Sequence, residues 1–421
     1  MTLGIEEANR RIDAAITAGD TSLDLSELRL TEVPPRVGEV PGLTKLDLHD
    51  NYLRELPERL VSLPLTELKL AENRLRHLPD WMAGFTQLTV LEVGDNRLTE
   101  LPRWLANLGL TELSIASNLF GVLPEWLGTM VALTALGIGD CGLEAVPVWV
   151  RDLSQLTTLD LRDNRLAELP EWLAHHTGLT ELYVQQNRLA VLPDWMSELA
   201  LTELYVDENR LDGVPDWLGT ITTLTELGIG GSRLTEVPDW VAGLDNLIHL
   251  DLDQNRLTTL PEWLGDLTNL TRLFLNSNRL RTLPDLPAGL TKLGLDRNRF
   301  TALPDQLGAL TGLTYLGMAD CALSAVPGWV RGMVDLESLH LDSNQLTVLP
   351  EWLAELTKLN TLWIDDNRLT EFPSGLQYLT NLRYLYVDHN PLRCLPDWLG
   401  RMTALTSLGA GDCQLTDFPA A

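Results

Sequence analysis

The stretch "LTTLDLRDNRLAELPEWLAHHTG", residues 156–178, contains the pattern that decides the fold. Leu159 and Leu161 alternate with the polar residues Asp160 and Arg162, which is the period of two expected for a β-strand with one buried face. Asn164 follows this alternating segment. A leucine-proline pair comes next, with a tryptophan two residues after the proline. The same pattern recurs along the chain, so the chain length does not set the number of domains.

The repeat begins at Leu43 and predicts 17 coils of 22 or 23 residues, with one coil of 20 residues at Leu270. Each coil can bury its leucines only against the coils before and after it. The asparagine, present in 13 of the 17 coils, is expected to turn inward and bond backbone groups. The proline that follows the last leucine of the pattern favours short 3₁₀ or irregular segments over long helices.

These motifs resemble the leucine-rich repeat family, in particular the arrays of bacterial cytoplasmic proteins such as Roco-like GTPases. The coil "LTRLFLNSNRLRTLPDLPAG", residues 270–289, is similar to repeats of bacterial effectors that carry a ubiquitin-ligase domain. The resemblance implies an α/β fold, a right-handed leucine-rich repeat solenoid (horseshoe) with a concave parallel β-sheet and short 3₁₀ or irregular convex segments. Residues 1–42 are interpreted as an N-terminal helical cap with a degenerate first repeat, and residues 43–421 as the array, whose last coil is truncated.

Four coils depart from the pattern at regular intervals. The asparagine is replaced in "LGIGDCGL" (136–143), "LGIGGSRL" (227–234), "LGMADCAL" (316–323) and "LGAGDCQL" (408–415). Because the departure recurs at every fourth coil, we interpret the array as a duplicated four-coil block. The cysteines at this position are expected to act as buried substitutes for asparagine, because a thiol is a weak donor that tolerates burial.

Charge is the strongest bias of the composition. The chain has 31 Lys and Arg against 59 Asp and Glu, a formal net charge of −28. Such a surface repels phosphate backbones and anionic lipid, so neither nucleic acid nor a membrane is expected as a partner. No apolar run suits a membrane span or a secretory signal. A cytoplasmic location is predicted, with an exported effector as the alternative.

The sequence contains no arrangement typical of catalysis. Its seven histidines are scattered over the coils, and no nucleophile, base and orienting group recur at a spacing that would bring them together. We therefore predict no catalytic residue, no cofactor and no metal site, and a protein that is not an enzyme.

The predicted concave face combines aromatic residues, glycines and carboxylates. Aromatic side chains next to charged ones are typical of binding hot spots. The candidate binding residues are Tyr183, Tyr205, Asp207, Phe274, Tyr315, Asp342, Trp363, Asp365, Tyr384, Tyr386 and Asp388. The alternative is that each ring covers a glycine of the next strand, as with Tyr205 beside Gly228 and Tyr386 beside Gly409.

Twelve coils also place a tryptophan two residues after the proline. We expect these indoles to stack on one another along the flank or back of the solenoid. A half-buried packing spine and a lateral docking surface remain alternatives for this row.

The preferred function is a non-enzymatic protein-recognition scaffold that binds a basic or amphipathic protein or peptide on its concave face. The alternative is a sensor or substrate-binding arm of a larger enzyme, a Roco-like GTPase or an effector ubiquitin ligase, that lacks its catalytic domain here. The chain ends at "LTDFPAA" without a polar capping coil. End-to-end self-association through Leu405, Leu408, Leu415 and Phe418 is therefore a further expectation.

Overall fold

A computed structural model describes residues 2–300 and 303–416 of the chain. Phe418, one of the residues expected to form an uncapped end, lies outside these ranges. The chain folds into two compact units, unit 1 (Met1–Arg210) and unit 2 (Leu211–Ala421). Each unit is a stack of coils in which every coil adds one short strand to a parallel β-sheet.

Unit 1 begins with a helix, α1 (Thr2–Ala18). Ala8, Ile12 and Ala15 form its buried face. The helix ends at Gly19, whose φ is +71°, and the backbone N–H of Asp20 donates to the carbonyl of Ala15 at 3.0 Å. This is the hydrogen-bond pattern of a Schellman motif, for which a glycine is the usual residue.

Among the described residues of unit 1, nine strands form a parallel sheet. They are β1 (Ser22–Asp24), β2 (Lys45–Asp47), β3 (Glu67–Lys69), β4 (Val90–Glu92), β5 (Glu112–Ser114), β6 (Ala135–Gly137), β7 (Thr158–Asp160), β8 (Glu181–Tyr183) and β9 (Glu203–Tyr205). The 3₁₀ helices between them are Pro35–Glu39, Glu58–Ser62, Asp80–Gly84, Arg103–Asn107, Glu125–Thr129, Val148–Asp152, Glu171–His175 and Asp194–Glu198. Each strand pairs in parallel with the strand of the next coil.

Unit 2 repeats this arrangement. Its strands are β10 (Glu226–Gly228), β11 (His249–Asp251), β12 (Arg272–Phe274), β13 (Lys292–Gly294), β14 (Tyr315–Gly317), β15 (Ser338–His340), β16 (Thr361–Trp363), β17 (Tyr384–Tyr386) and β18 (Ser407–Gly409). The 3₁₀ helices are Asp216–Thr220, Asp239–Gly243, Glu262–Asp266, Asp305–Ala309, Gly328–Gly332, Glu351–Glu355, Ser374–Tyr378 and Asp397–Arg401. The coil of 20 residues has none of them between β12 and β13, a segment that the structure describes completely.

Proline explains why these segments stay short. Pro170, with φ −71° and ψ 144°, precedes the 3₁₀ helix Glu171–His175 in the extended conformation. The N–H of His176 then donates to the carbonyl of Leu173 and closes the turn. A proline cannot continue a helix from the preceding residues, so each coil with a 3₁₀ helix makes one tight turn and proceeds to its next strand. The predicted short 3₁₀ segments are confirmed.

The inward asparagines form the predicted ladder. The side-chain amide of Asn73 donates to the carbonyls of Leu48 in the preceding coil and of Leu70 and Ala71 in its own coil, at 2.9, 3.1 and 3.1 Å. Its oxygen accepts from the N–H of Leu53 in the preceding coil at 2.9 Å. One carboxamide therefore satisfies four buried backbone groups and joins two coils.

A cysteine at the ladder position replaces only the donor half of this network. The thiol of Cys321 donates to the carbonyls of Leu295 and Ala319 at 3.3 and 3.4 Å. The N–H of Cys321 itself donates to the side-chain oxygen of Asn344 in the next coil at 3.1 Å. Burial raises the pKa of this thiol to about 12, so it stays protonated and is a poor nucleophile.

The bend of the chain changes with the asparagine. Around Asn164 the left-handed residue is the one before it, Asp163 with φ +54°. Around Cys141 both neighbours are left-handed, Asp140 with φ +45° and Gly142 with φ +68°. Ser232, Cys321 and Cys413 likewise have a left-handed residue on each side. We call the coils that contain these four residues the exceptional coils. Their bend has a left-handed residue on each side of the ladder position, unlike the bend around Asn164.

Candidate protein-binding face

The third residues of the strands form one row across each sheet, here called the central row. In unit 2, Phe274 pairs with Gly294, Gly317 with His340, and Trp363 with Tyr386 in direct register. Two residues further along each coil lies the acidic row of unit 2: Asp253, Asp296, Asp342, Asp365 and Asp388. We call the surface of each unit that carries its central row the sheet face.

Six rings form a continuous chain on the sheet face of unit 2. The centroid distances from ring to ring lie between 4.4 and 6.1 Å. In order, the rings are His249, Phe274, Tyr315, His340, Trp363 and Tyr386. The structure thus brings four of the predicted site residues together and adds two histidines, His249 and His340, that were not among the candidate binding residues. His340 occupies the central row between Gly317 and Trp363, so its register position would have identified it. His249 is instead the first residue of its strand.

His340 is a packing element of this chain. Its ring is stacked on the indole of Trp363, with centroids 4.4 Å apart and planes 4° apart. Its nitrogens lie 3.1 Å from the hydroxyl of Ser338 and 3.4 Å from that of Tyr315. Burial lowers the pKa of His340 to about 4. The imidazole is therefore neutral at physiological pH and supports the indole without adding positive charge.

Trp363 and Tyr384 are the exposed aromatic residues of this face. Trp363 is 39% exposed and Tyr384 is 42% exposed. Phe274, Tyr315 and Tyr386 are only partly accessible. Because one face of Trp363 is covered by His340, the indole is held in place while its remaining surface is open. Such rigid, partly exposed rings lose little conformational entropy when a partner covers them.

Two rings of the chain cover glycines, as the alternative interpretation expected. A Cβ atom on Gly294 would lie 2.8 Å from Cδ1 of Phe274, and one on Gly409 would lie 2.7 Å from Cδ1 of Tyr386. Gly317 is covered by the carboxylate of Asp296 instead, at 2.8 Å. Glycine covering and exposed rings therefore occur together, at different residues of the same row.

Several carboxylates of the acidic row cap the backbone of the next coil. Asp253 accepts from the N–H of Asn276 at 2.6 Å, and Asp296 accepts from the N–H of Ala319 at 2.7 Å. Asp388 accepts from the N–H of Gly411 at 2.5 Å. These acidic residues therefore have a structural role in addition to their charge.

Asp342 and Asp365 differ from these capping residues. Among the described residues, Oδ1 of Asp342 is buried and has no hydrogen-bond donor. Burial, and then the nearby Asp365, raises the pKa of Asp342 to about 6. The pKa of Asp365 is raised as well, chiefly by burial. Two neighbouring carboxyl groups beside an exposed indole give this part of the face a concentrated negative charge.

The sheet face of unit 1 contains a smaller aromatic group. Tyr183 and Tyr205 are stacked, with centroids 5.6 Å apart and planes 23° apart. The Tyr183 hydroxyl donates to the carboxylate of Glu203, and Asp207 is half-buried two residues after Tyr205. Toward the amino end the same face is occupied by ion pairs such as Lys45 with Glu67 at 2.7 Å, so its charges already have partners.

The tryptophan row lies in a buried or half-buried environment, as the packing-spine alternative expected. Its members are Trp81, Trp104, Trp126, Trp149, Trp172, Trp195, Trp217, Trp240, Trp263, Trp329, Trp352 and Trp398, all buried or half-buried. Within the described ranges their ring contacts are with Phe85, His176 and Phe372, so the prediction that the indoles stack on one another is wrong. Trp81 and Trp172 contact rings of their own coils, whereas Trp398 contacts Phe372 of the preceding coil. In other coils a glycine lies against the base of the indole side chain. A Cβ on Gly128 would lie 2.9 Å from Cβ of Trp149 in the next coil.

The described residues contain no group of three or more His, Cys, Asp or Glu side chains that could hold a metal ion. In the same ranges, no helix has the length and apolarity needed to cross a bilayer. All four cysteines are free thiols.

The repeated strand, ladder and 3₁₀ turn define a solenoid protein of the leucine-rich repeat class. The family model described as "Leucine rich repeat" matches residues 41–98, 64–120, 154–211, 222–280, 288–346 and 336–392. These segments include more than half of the chain, which therefore belongs to the leucine-rich repeat family.

Solved structures agree with this assignment. A leucine-rich repeat protein of Leptospira interrogans is similar with a TM-score of 0.57 and 25% identity, over 96% of this chain and 93% of that one. The plant peptide hormone receptor RGFR1, in complex with RGF2, is similar with a TM-score of 0.51 and 25% identity, over 92% of this chain and 74% of that one. No curated protein sequence matches the chain.

Proposed function

We propose that this protein is a non-enzymatic recognition scaffold whose sheet face in unit 2 binds a basic or amphipathic segment of a protein or peptide. The observation that carries the proposal is the exposure of Trp363, at 39%, two residues before Asp365 of the acidic row. Tyr384, which is 42% exposed, lies on the neighbouring strand of the same face. Large rings that are exposed yet held in place are the usual anchors of binding interfaces. The neighbouring carboxylates favour a partner with positive charge.

Packing supports a preformed site. Trp363 is stacked on His340 and meets the edge of Tyr386 with centroids 5.5 Å apart. A partner would therefore meet rings that already have their bound arrangement, so binding does not require the face to become ordered. Asp342 and Asp365 provide charge at the same place, while Asp388 accepts from the N–H of Gly411.

The structural relatives support a protein or peptide as the class of partner. The plant receptor with 25% identity is described in complex with RGF2 and as a peptide hormone receptor. Extending peptide binding from that protein to this chain is our inference.

The test uses peptides selected on the wild-type protein from a random display library. We expect the selected peptides to be rich in Lys, Arg and apolar residues. Trp363→Ala and Tyr384→Ala should each weaken their binding by about 2 kcal/mol, as truncation of hot-spot residues does. Affinity is measured by calorimetry, and the unfolding midpoint is measured on the same samples.

Phe274→Ala is the matched control. Its ring covers Gly294 and is less exposed, so this variant should lower the unfolding midpoint and leave peptide affinity nearly unchanged. If Trp363→Ala and Tyr384→Ala retain full affinity, the sheet face of unit 2 is not the binding site.

A further inference from the structure

Each unit contains a groove away from its sheet face, where an exceptional coil follows an ordinary one. The groove of unit 1 has a volume of about 750 Å³ and is lined by residues between Gly121 and Asp152. The groove of unit 2 has a volume of about 630 Å³ and is lined by residues between Asp212 and Trp240. We call these two sites the flank grooves.

The two flank grooves are built from the same positions of the four-coil block. The residues at corresponding positions are Glu125 and Asp216, Leu143 and Leu234, Pro147 and Pro238, and Trp149 and Trp240. Both grooves also lie beside the exceptional bend, at Cys141 in unit 1 and Ser232 in unit 2. The groove is therefore a feature of the four-coil block, seen beside Cys141 in unit 1 and beside Ser232 in unit 2.

Apolar side chains line the groove of unit 1. Trp149 is only 8% exposed and forms part of the wall, whereas Val122 and Val148 are 89% and 72% exposed and also line the groove. Two exposed aliphatic side chains beside a buried indole provide an apolar surface on which an apolar side chain of a partner can pack.

Negative charge surrounds both grooves. Three carboxylates, Glu125, Glu144 and Asp152, line the groove of unit 1 against the single guanidinium of Arg151. In unit 2 the carboxylates are Asp212, Asp216, Glu236 and Asp239 against Arg233. A segment that enters either groove is therefore favoured if it carries positive charge.

We propose that the flank grooves are two related docking sites for a short peptide segment with an aliphatic side chain next to a lysine or arginine. The groove of unit 2 has Gly213 and Asp239 where unit 1 has Val122 and Val148, so its apolar lining is Val214, Leu234, Pro238 and Trp240. The aliphatic side chain packs against Pro147 and Trp149 in unit 1, or against Pro238 and Trp240 in unit 2. The cationic side chain pairs with Glu125 or with Asp216. Because the grooves are separate from Trp363 and Tyr384, this proposal does not depend on the sheet face.

The test counts binding sites for a blocked synthetic peptide of alternating leucine and lysine residues. Glu125→Lys is expected to remove one site per protein molecule, Asp216→Lys to remove another, and the double variant to remove both. Both residues are exposed, so the variants should keep the fold, which circular dichroism checks. Trp363→Ala removes any site on the sheet face and should leave these two unchanged.

Glu171→Lys is the matched control, because Glu171 is also the first residue of a 3₁₀ helix in unit 1 and lines neither groove. It should keep the full number of sites. Two results overturn the proposal. In one, Glu125→Lys and Asp216→Lys leave the number of sites unchanged. In the other, Glu171→Lys lowers it equally, which would mean that the peptide senses only total charge.

Discussion

The surroundings of Asp342 on the sheet face destabilise the charged form of its carboxyl group. Its carboxyl is buried beside Asp365, and Oδ1 has no donor among the described residues. The pKa of about 6 lies above the ordinary value of 3.8, so the folded state holds this proton more tightly than the unfolded chain does. The contribution of Asp342 to stability is therefore lost as the pH rises from about 4 to about 6, and it stays lost at higher pH.

Replacing this carboxyl by a neutral amide should stabilise the protein at alkaline pH. We expect Asp342→Asn to raise the free energy of unfolding by about 1 kcal/mol at about pH 8, after allowance for solvent screening, and by little at about pH 4. Urea unfolding at the two pH values measures this difference. Asp305→Asn, at an exposed position, is the control and should show no such dependence. An equal gain for Asp342→Asn at both pH values would contradict the role of the charge.

At the scale of elements, the exceptional coils are recognised by their bend and by the glycine of the coil before them. Gly128, Gly219 and Gly308 stand in the 3₁₀ helices that precede three exceptional coils. A Cβ on these residues would lie 2.9, 2.6 and 2.9 Å from Cβ of Trp149, Trp240 and Trp329 respectively. The duplicated block thus includes a close contact between neighbouring turns, which only glycine permits without a shift of the backbone.

Gly128→Ala should therefore lower the stability of the protein. We expect a loss of about 1 to 2 kcal/mol, because the added methyl group forces Trp149 away from its position. Gly38→Ala is the matched control, since Gly38 has the same place in the helix Pro35–Glu39 and a Cβ there would meet no atom within 4 Å among the described residues. Thermal unfolding of both variants measures the difference. Similar midpoints for the two would show that the contact with Trp149 is easily relieved.

The whole molecule has a net charge of −28, so its carboxylates repel one another more than they are attracted by basic side chains. Described ion pairs such as Arg331 with Glu355 are exposed and contribute little individually. The compact state therefore concentrates negative charge that the unfolded chain spreads over a larger volume.

Salt should stabilise the protein by screening this repulsion. We expect the unfolding midpoint to rise as NaCl increases from about 0.02 M to about 0.5 M, mostly below about 0.2 M, where the Debye length falls fastest. Calorimetric scans across this range provide the measurement. A midpoint that is constant, or that rises only at the high end, would show that general repulsion does not limit stability.

Much of the fold could be predicted because each determinant is local and repeated. The alternation around Leu159 specifies a strand with one buried face, Asn164 specifies the inward turn, and Pro170 specifies a short 3₁₀ segment. The central row was predictable for the same reason, since a constant repeat places equivalent residues in register. The structure confirms this order for Phe274 through Gly409.

The sequence by itself determined the repeat, the sheet register within each unit and the identity of the residues that share the sheet face. Only the tertiary structure decided which carboxylates cap a backbone N–H, as Asp388 does, and which remain without a donor, as at Asp342. It also decided that Phe274 covers a glycine while Trp363 stays exposed. The physical reason is that these outcomes depend on side chains a whole coil away in sequence, whose volumes and hydrogen-bond partners meet only after the coils have stacked.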